Sequence, residues 1–297
     1  MENSITSPER ITQNKVIRFF KDTLNYQYLG NLSDAENTNI RKNDLIDFLT
    51  NHMKYSSVVA NKAYDELVKT ANNLQQGLYY ANKEVYTLLK YGVKVKENPE
   101  DSPKTVFLID FNHAGNNIFS IAEEVTVVGN NEKRPDLVIY LNGIAVAVFE
   151  LKRSAISVAD GIRQNLTNQR EMFIKEFFTT IQFCLAGNES EGLKYGTINT
   201  PEKEYLVWKE DRFKENADEI NEIDASIVES LESIDNKLLK SIYSLFYKTR
   251  FLNLIHNFII FDKGSKKVCR YNQYFGIMRA QKRLQKGNSG IIWHTQG

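Results

Sequence analysis

The sequence holds few of the groups that would point quickly to a chemistry. It has two cysteines in 297 residues, Cys184 and Cys269, far apart in the chain. That excludes a disulfide framework and suits a reducing compartment, the cytoplasm. Cys184 sits in the apolar run Ile181-Gln-Phe-Cys-Leu-Ala186 and reads as core. The four histidines, His52, His113, His256 and His294, have no metal-ligand spacing and read as structural or surface groups. No apolar run approaches the length of a membrane span, and the N-terminus has no signal-peptide hydrophobic segment. Charge of one sign is missing too: 38 basic and 37 acidic residues leave a net charge of +1. Any nucleic-acid-binding face must therefore be local. What remains is an ordinary globular composition, 42% hydrophobic and 25% charged, long enough for one large domain or two smaller ones.

The informative stretch is Arg134 to Arg153. Leu137–Leu141 and Ile144–Phe149 are apolar runs of strand length, and Asn142-Gly143 between them is a strong hairpin signal. Both runs are apolar at successive positions, so both faces of their sheet are expected to be covered. Charge in such strands needs a reason, yet Asp136 opens one strand and Glu150 and Lys152 close the other. Glu150 and Lys152 leave the strand on one face. A strict two-residue turn would pair Asp136 with Phe149, on the wrong face. A three-residue loop with a bulge at the glycine pairs it with Glu150, and that register, or a bend at Pro135 with the same result, is expected. Two carboxylates and an ammonium at one sheet end suit a hard divalent cation such as Mg²⁺. The cation would activate water and polarise a phosphate, and Lys152 would orient the water or offset developing charge. That is the chemistry of phosphodiester hydrolysis. The bland alternative is a set of solvated charges at a strand end.

Around this hairpin the periodicity predicts an α/β chain. Ser7-Pro-Glu starts a helix with Val16, Ile17, Phe19, Phe20 and Leu24 on its apolar face. Glu9 there either complements the helix dipole or serves the metal site as an accessory acid. Residues 26–37 read as a polar connection, and 40–53, 57–73 and 78–90 as helices that pack on the sheet. Strands are expected at 93–96, 105–111, 118–128, 181–186, 195–198 and 205–208. Glu123 and Glu124 read as a solvated edge, with a place facing the metal site as the alternative. Residues 155–168 form a helix after the catalytic strand, with Gln164 and Asn168 on one face. The amide-rich run 164–169 suits phosphate and base contacts, or else a capped, frayed terminus. Residues 210–236 are acidic and read as a solvated helical linker, followed by an aromatic amphipathic helix over 238–256, a short strand at 258–261 and a basic helix over 277–286. Residues 290–297 read as a buried strand opening into Gly297, half of a phosphate-loop signal.

The pattern Pro135-Asp136…Glu150-x-Lys152 resembles the PD-(D/E)xK nuclease superfamily. Further strings extend the likeness: Thr12-Gln-Asn, Asp160-Gly-Ile-Arg-Gln-Asn-Leu-Thr-Asn-Gln169, Gly196-Thr-Ile, Asn272-Gln-Tyr-Phe-Gly and Ile291-Ile-Trp-His-Thr-Gln-Gly297. Together they resemble the N-terminal part of the restriction (R, HsdR) subunit of type I restriction-modification enzymes, over nearly the whole chain. The resemblance implies a restriction-endonuclease-like core over residues 1 to about 240, comprising a helical part (about 8–90), a catalytic sheet (about 92–209) and the acidic linker. Residues 241–297 would begin a RecA-like superfamily 2 motor lobe, cut within its ATP-binding loop. It implies Mg²⁺ on Asp136 and Glu150, Lys152 as catalytic lysine, and Gln164 as the glutamine of a Gln-x-x-x-Tyr motif in which Asn168 replaces the tyrosine. Arg270 and Gln273 resemble an adenine-reading segment, and Gly297 the start of the ATP loop, whose Gly-Lys-Ser remainder is absent. The implied partners are double-stranded DNA and the methyltransferase and specificity subunits, with ATP hydrolysed by the full-length protein only. The competing readings are a silent DNA-holding or subunit-docking module and a self-sufficient nuclease.

Overall fold

A computed structural model describes residues 8–34, 36–210 and 222–291. The elements are α1 (Pro8–Asp22), β1 (Gln27–Asn31), α2 (Lys42–Asp47), α3 (Ser57–Ala71), α4 (Leu78–Tyr91), β2 (Val93–Val95), β3 (Lys104–Val106) and β4 (Phe119–Glu123). They continue with β5 (Leu137–Leu141), β6 (Ile144–Leu151), α5 (Val158–Asn168), β7 (Phe183–Asn188), β8 (Gly192–Gly196) and β9 (Leu206–Val207). The last are α6 (Glu222–Leu231), α7 (Lys237–Phe246), α8 (Lys248–Asn257), β10 (Ile259–Asp262), β11 (Ser265–Val268) and α9 (Tyr271–Gln285). Seven strands form one mixed sheet in the order β1-β4-β5-β6-β7-β8-β9, with β1–β4 and β6–β7 parallel and the other neighbours antiparallel. This is the α/β architecture expected.

Every residue of β5 and β6 is buried, because each face of the sheet is covered. On one face Phe149 and Phe20 meet Phe246 of α7, and Phe183 meets Phe251 of α8. On the other, Val138 and Val148 pack with Val158 and Ile162 of α5 and with Phe177 and Phe178. Such burial contributes about 1.5–3 kcal/mol per large apolar side chain.

Several expectations are corrected. Residues 27–31 form an exposed edge strand rather than a polar connection; none is fully buried and Leu29 is its one half-buried side chain, which hides the strand from a pattern search. The helix expected over 40–53 ends at Asp47 and continues as a π turn over Phe48–His52. The strand expected at 105–111 is three residues long and pairs only with β2, outside the main sheet. β4 stops at Glu123 because Glu124 turns left-handed, at φ +50°.

The acidic stretch is not a solvated linker where it is described. Asp224 and the Glu210 carboxylate are buried on Arg250, itself fully buried. Arg250 is ringed by Trp208, Tyr274 and Phe275. The expected division near residue 240 falls inside α7, whose Leu238, Ile242 and Phe246 share a core with Phe149. Lys266 of β11 donates to Asn82 Oδ1, Gln182 Oε1 and Ile181 O at 2.8, 2.7 and 3.1 Å, pinning that hairpin to α4 and the end of β7. The strand expected from Gly290 is absent at 290–291, and residues 292–297, Gly297 included, lie outside the described residues. Among the described residues, no helix is long and apolar enough to cross a membrane.

Candidate active site

The hairpin turn is set locally. Asn142 and Gly143 both take positive φ, 53° and 80°, as a two-residue turn of this hand requires. Gly143 is also needed for packing, since a Cβ there would lie 2.8 Å from Asp44 Cβ and Leu45 N. The turn therefore pairs Leu141 with Ile144, not with Ala145 as expected. The bulge is real but sits further along: Tyr140 pairs with Ala145 and Ile139 with Ala147, leaving Val146 as the extra residue. The cause lies outside the hairpin. Ala145 N–H donates to Asn39 O at 2.8 Å, and Val146 O accepts from Gln182 N–H at 2.8 Å. Val146 and Ala147 consequently face the same core, and the alternation restarts one residue late. Leu137 pairs with Phe149. One step on, Asp136 faces Glu150, on the α5 side of the sheet.

Asp136 Oδ2 accepts from Leu151 N–H at 2.6 Å, which binds the two ends of the hairpin together. Glu150 is fully buried; its Oε1 accepts from Asn168 Nδ2 at 3.2 Å and its Oε2 has no partner among the described residues. Lys152 Nζ lies 3.2 Å from Glu9 Oε1, so α1 brings a third acid to the group. Burial pushes Asp136 up to about 7, against the pull of the Lys152 ammonium and the Leu151 N–H, with Glu9 and Glu124 adding to the rise. Burial, and then the charge of Asp136, pushes Glu150 well above the carboxylate range. Burial pulls Lys152 down, but Asp136, Glu150 and Glu9 outweigh it and hold the ammonium above its usual value.

The site thus carries more negative charge than its lysine balances. A proton or a cation must make up the difference, because unpaired buried charge is expensive. The partnerless Glu150 Oε2 fits a hard cation, which prefers anionic oxygen. Among the described residues no three His, Cys, Asp or Glu side chains cluster at metal-ligand spacing. Asp136 and Glu150 are the two carboxylates that could hold such a cation, with water completing its shell.

The structure brings Asp136, Glu150, Lys152 and Glu9 together. Gln164 is half-buried on α5, one turn before Asn168, and it is Asn168 that reaches Glu150. The run is not frayed, and the amides after Gln164 bind within the fold rather than to phosphate: Asn165 Nδ2 donates to Leu185 O at 2.8 Å, and Gln169 Oε1 accepts from Asn199 N–H at 2.7 Å. Glu123 is no solvated edge. It is buried against Arg10, at 2.5 Å, and Tyr28. Two further residues join the site. Gln13, which the sequence marks only within a family string, donates through Nε2 to Glu124 Oε1 at 3.0 Å and to Asp136 O at 3.1 Å. It follows Glu9 by four residues on α1, a spacing that already places both on one helix face. Glu124 takes the alternative reading of its acidic pair, beside the site rather than on a solvated edge, where its left-handed turn carries it. Arg270 and Gln273 lie elsewhere, at the start of α9, where Gln273 Oε1 accepts from Arg270 N–H at 2.9 Å. His256 stacks on Phe111 at 4.2 Å, in keeping with a structural role.

Comparison with known proteins points the same way. A family model described as "Type I restriction enzyme R protein N terminus" matches residues 5–204. The "Type I restriction enzyme HindI endonuclease subunit" of Haemophilus influenzae is 28% identical over 263 residues, covering 82% of this chain and 24% of the relative. The "Putative type I restriction enzyme MjaIXP endonuclease subunit" of Methanocaldococcus jannaschii is 27% identical over 261 residues, covering 78% and 24%. The chain spans about a quarter of the length of these relatives.

Proposed function

The chain belongs to the family of type I restriction enzyme R protein N termini, and on that premise we propose that it is a Mg²⁺-dependent endonuclease domain hydrolysing phosphodiesters of double-stranded DNA. The observation that carries this is the meeting of Asp136, Glu150 and Lys152 at one end of the sheet, with Glu150 Oε2 buried and unpartnered. The fold supports a PD-(D/E)xK core, since the acids sit on one face of a central hairpin within a covered mixed sheet.

Asp136 and Glu150 would hold the cation, which supplies an activated water and a polarised phosphate. The chain's own residues do the rest. Leu151 N–H fixes the Asp136 carboxylate, so that Oδ1 is the oxygen left to face a ligand. Lys152 stays an ammonium, and its charge offsets what develops on the phosphate oxygens. Glu9 holds that ammonium at the site as an accessory acid. Gln164, on the helix over the site, contacts the phosphate backbone.

In a protein of the relatives' length, residues after about 240 would lead into a superfamily 2 motor that pulls DNA with ATP. Arg270 and Gln273 would read adenine, and Gly297 would open the phosphate loop. The methyltransferase and specificity subunits would be the partners, the latter reading the sequence, in the cytoplasm. This chain alone should neither hydrolyse ATP nor cut efficiently.

Calorimetric titration with Mn²⁺ tests the reading. Saturable binding that Asp136→Ala abolishes is expected. No saturable binding would favour a silent docking module, and efficient plasmid nicking without ATP or partners would favour a self-sufficient nuclease.

A further inference from the structure

We infer that Asn168 is a positioning residue for Glu150: its amide N–H holds one carboxylate oxygen so that the other is presented to the divalent cation. The inference rests on the reading of Asp136 and Glu150 as cation ligands.

Asn168 is buried in the last turn of α5. Its Nδ2 donates to Glu150 Oε1 at 3.2 Å. The two atoms left over, Glu150 Oε2 and Asn168 Oδ1, are both buried and both without a partner among the described residues. Buried polar atoms are nearly always paired, so two orphans on one bonded pair mark a set completed by something else. Glu150 Oε2 calls for a cation. Asn168 Oδ1, a pure acceptor, calls for a proton donor such as water. Against a charged carboxylate the amide faces one way. Turned over, it would set its own oxygen against the carboxylate.

The helix is built to hold this contact. Positions 161, 165 and 168 lie on one stripe of α5. At the first, Gly161 lets the helix close on β6 and β7: a Cβ there would stand 3.1 Å from Ala186 Cβ and Glu150 O, and 3.4 Å from Glu150 Cβ. At the second, Asn165 Nδ2 ties the helix to Leu185 O at 2.8 Å. At the third, Asn168 meets the carboxylate, and its own carbonyl accepts from Ile174 N–H at 3.2 Å. The neighbouring Gln169 is bound on both sides, to Asn165 O at 3.0 Å and by Asn199 N–H at 2.7 Å. A backbone clamped at each turn leaves the short amide little freedom, and a donor with one fixed direction selects one rotation of the Glu150 carboxylate. Residues that orient a metal ligand in this way typically change metal affinity by 10–100-fold when removed.

The experiment is Mn²⁺ binding, followed by electron paramagnetic resonance on the whole 297-residue chain, for wild type, Asp136→Ala, Asn168→Ala, Asn168→Leu and Asn168→Gln. Asn168→Ala and Asn168→Leu, which lack a donor and add no charge, are expected to weaken binding about 10–100-fold. Asn168→Gln, which keeps an N–H donor, should recover part of the loss. Asn168→Leu keeps a similar volume and serves if the alanine variant does not fold. A merely structural role would lower the melting temperature of all three without ordering their Mn²⁺ affinities by donor capacity. If wild type binds Mn²⁺ and Asp136→Ala does not, while Asn168→Ala or Asn168→Leu binds within about twofold of wild type, far short of the 10–100-fold expected of an orienting residue, the positioning role is refuted and the cation site stands. If wild type itself binds no Mn²⁺, the cation reading fails, and this inference with it.

Discussion

Asp136→Asn should stabilise the metal-free protein and destroy its cation site. The substitution keeps the volume and keeps an oxygen to accept the Leu151 N–H now 2.6 Å from Oδ2. What it removes is an ionisable group that burial pushes from 3.8 up to about 7. A carboxyl raised in the folded state keeps its proton there while the unfolded chain has already released it. Stability of the wild type should therefore fall as pH rises from about 4 to about 7 and level off above that. At 1.36 kcal/mol per pH unit, that distance of about three units corresponds to roughly 4 kcal/mol, and water access at this half-buried carboxyl reduces it to about 2–4 kcal/mol. The asparagine variant lacks this part of the fall. Urea denaturation with a chelator present should show the two proteins nearly alike near pH 3.5 and the variant more stable at pH 8. Mn²⁺ should then close or reverse that gap. It stabilises wild type by about 4.1 kcal/mol at one thousand times its dissociation constant, and leaves the variant unmoved. A variant less stable than wild type at pH 8 without metal, or one gaining equally from Mn²⁺, would refute the charge-excess account of the site.

Two further outcomes follow from the packing. Arg250→Ala leaves Glu210 and Asp224 buried without their cation and should cost about 3–5 kcal/mol in urea denaturation; a loss below about 1 kcal/mol would mean those acids reach water. Gly161→Ala sets a Cβ 3.1 Å from Ala186 Cβ and Glu150 O, so α5 must lift. It should cost about 1–3 kcal/mol and weaken Mn²⁺ binding as well; a stability loss with unchanged Mn²⁺ affinity would show that the helix can lift without disturbing Glu150.

What could be read from the chain alone was whatever neighbouring residues decide. Asn142-Gly143 specifies a turn by backbone sterics, and the apolar runs on either side of the turn mark a sheet covered on both faces. The charges Asp136, Glu150 and Lys152 stand out in those runs because burial makes charge costly whatever the fold. Partners distant in sequence decided the rest. Val146 became the bulge because Asn39 and Gln182 claim the backbone around it, and only that bulge turns Glu150 to the side of Asp136. Glu210 and Asp224 read as solvated acids until the fold sets Arg250 between them. Asn168 sits over Glu150 because Gly161, seven positions earlier, lets its helix close on the sheet. Sequence thus determines which groups must find partners, while only tertiary structure chooses the partners, because a hydrogen bond or an ion pair is satisfied by distance in space and is indifferent to distance along the chain.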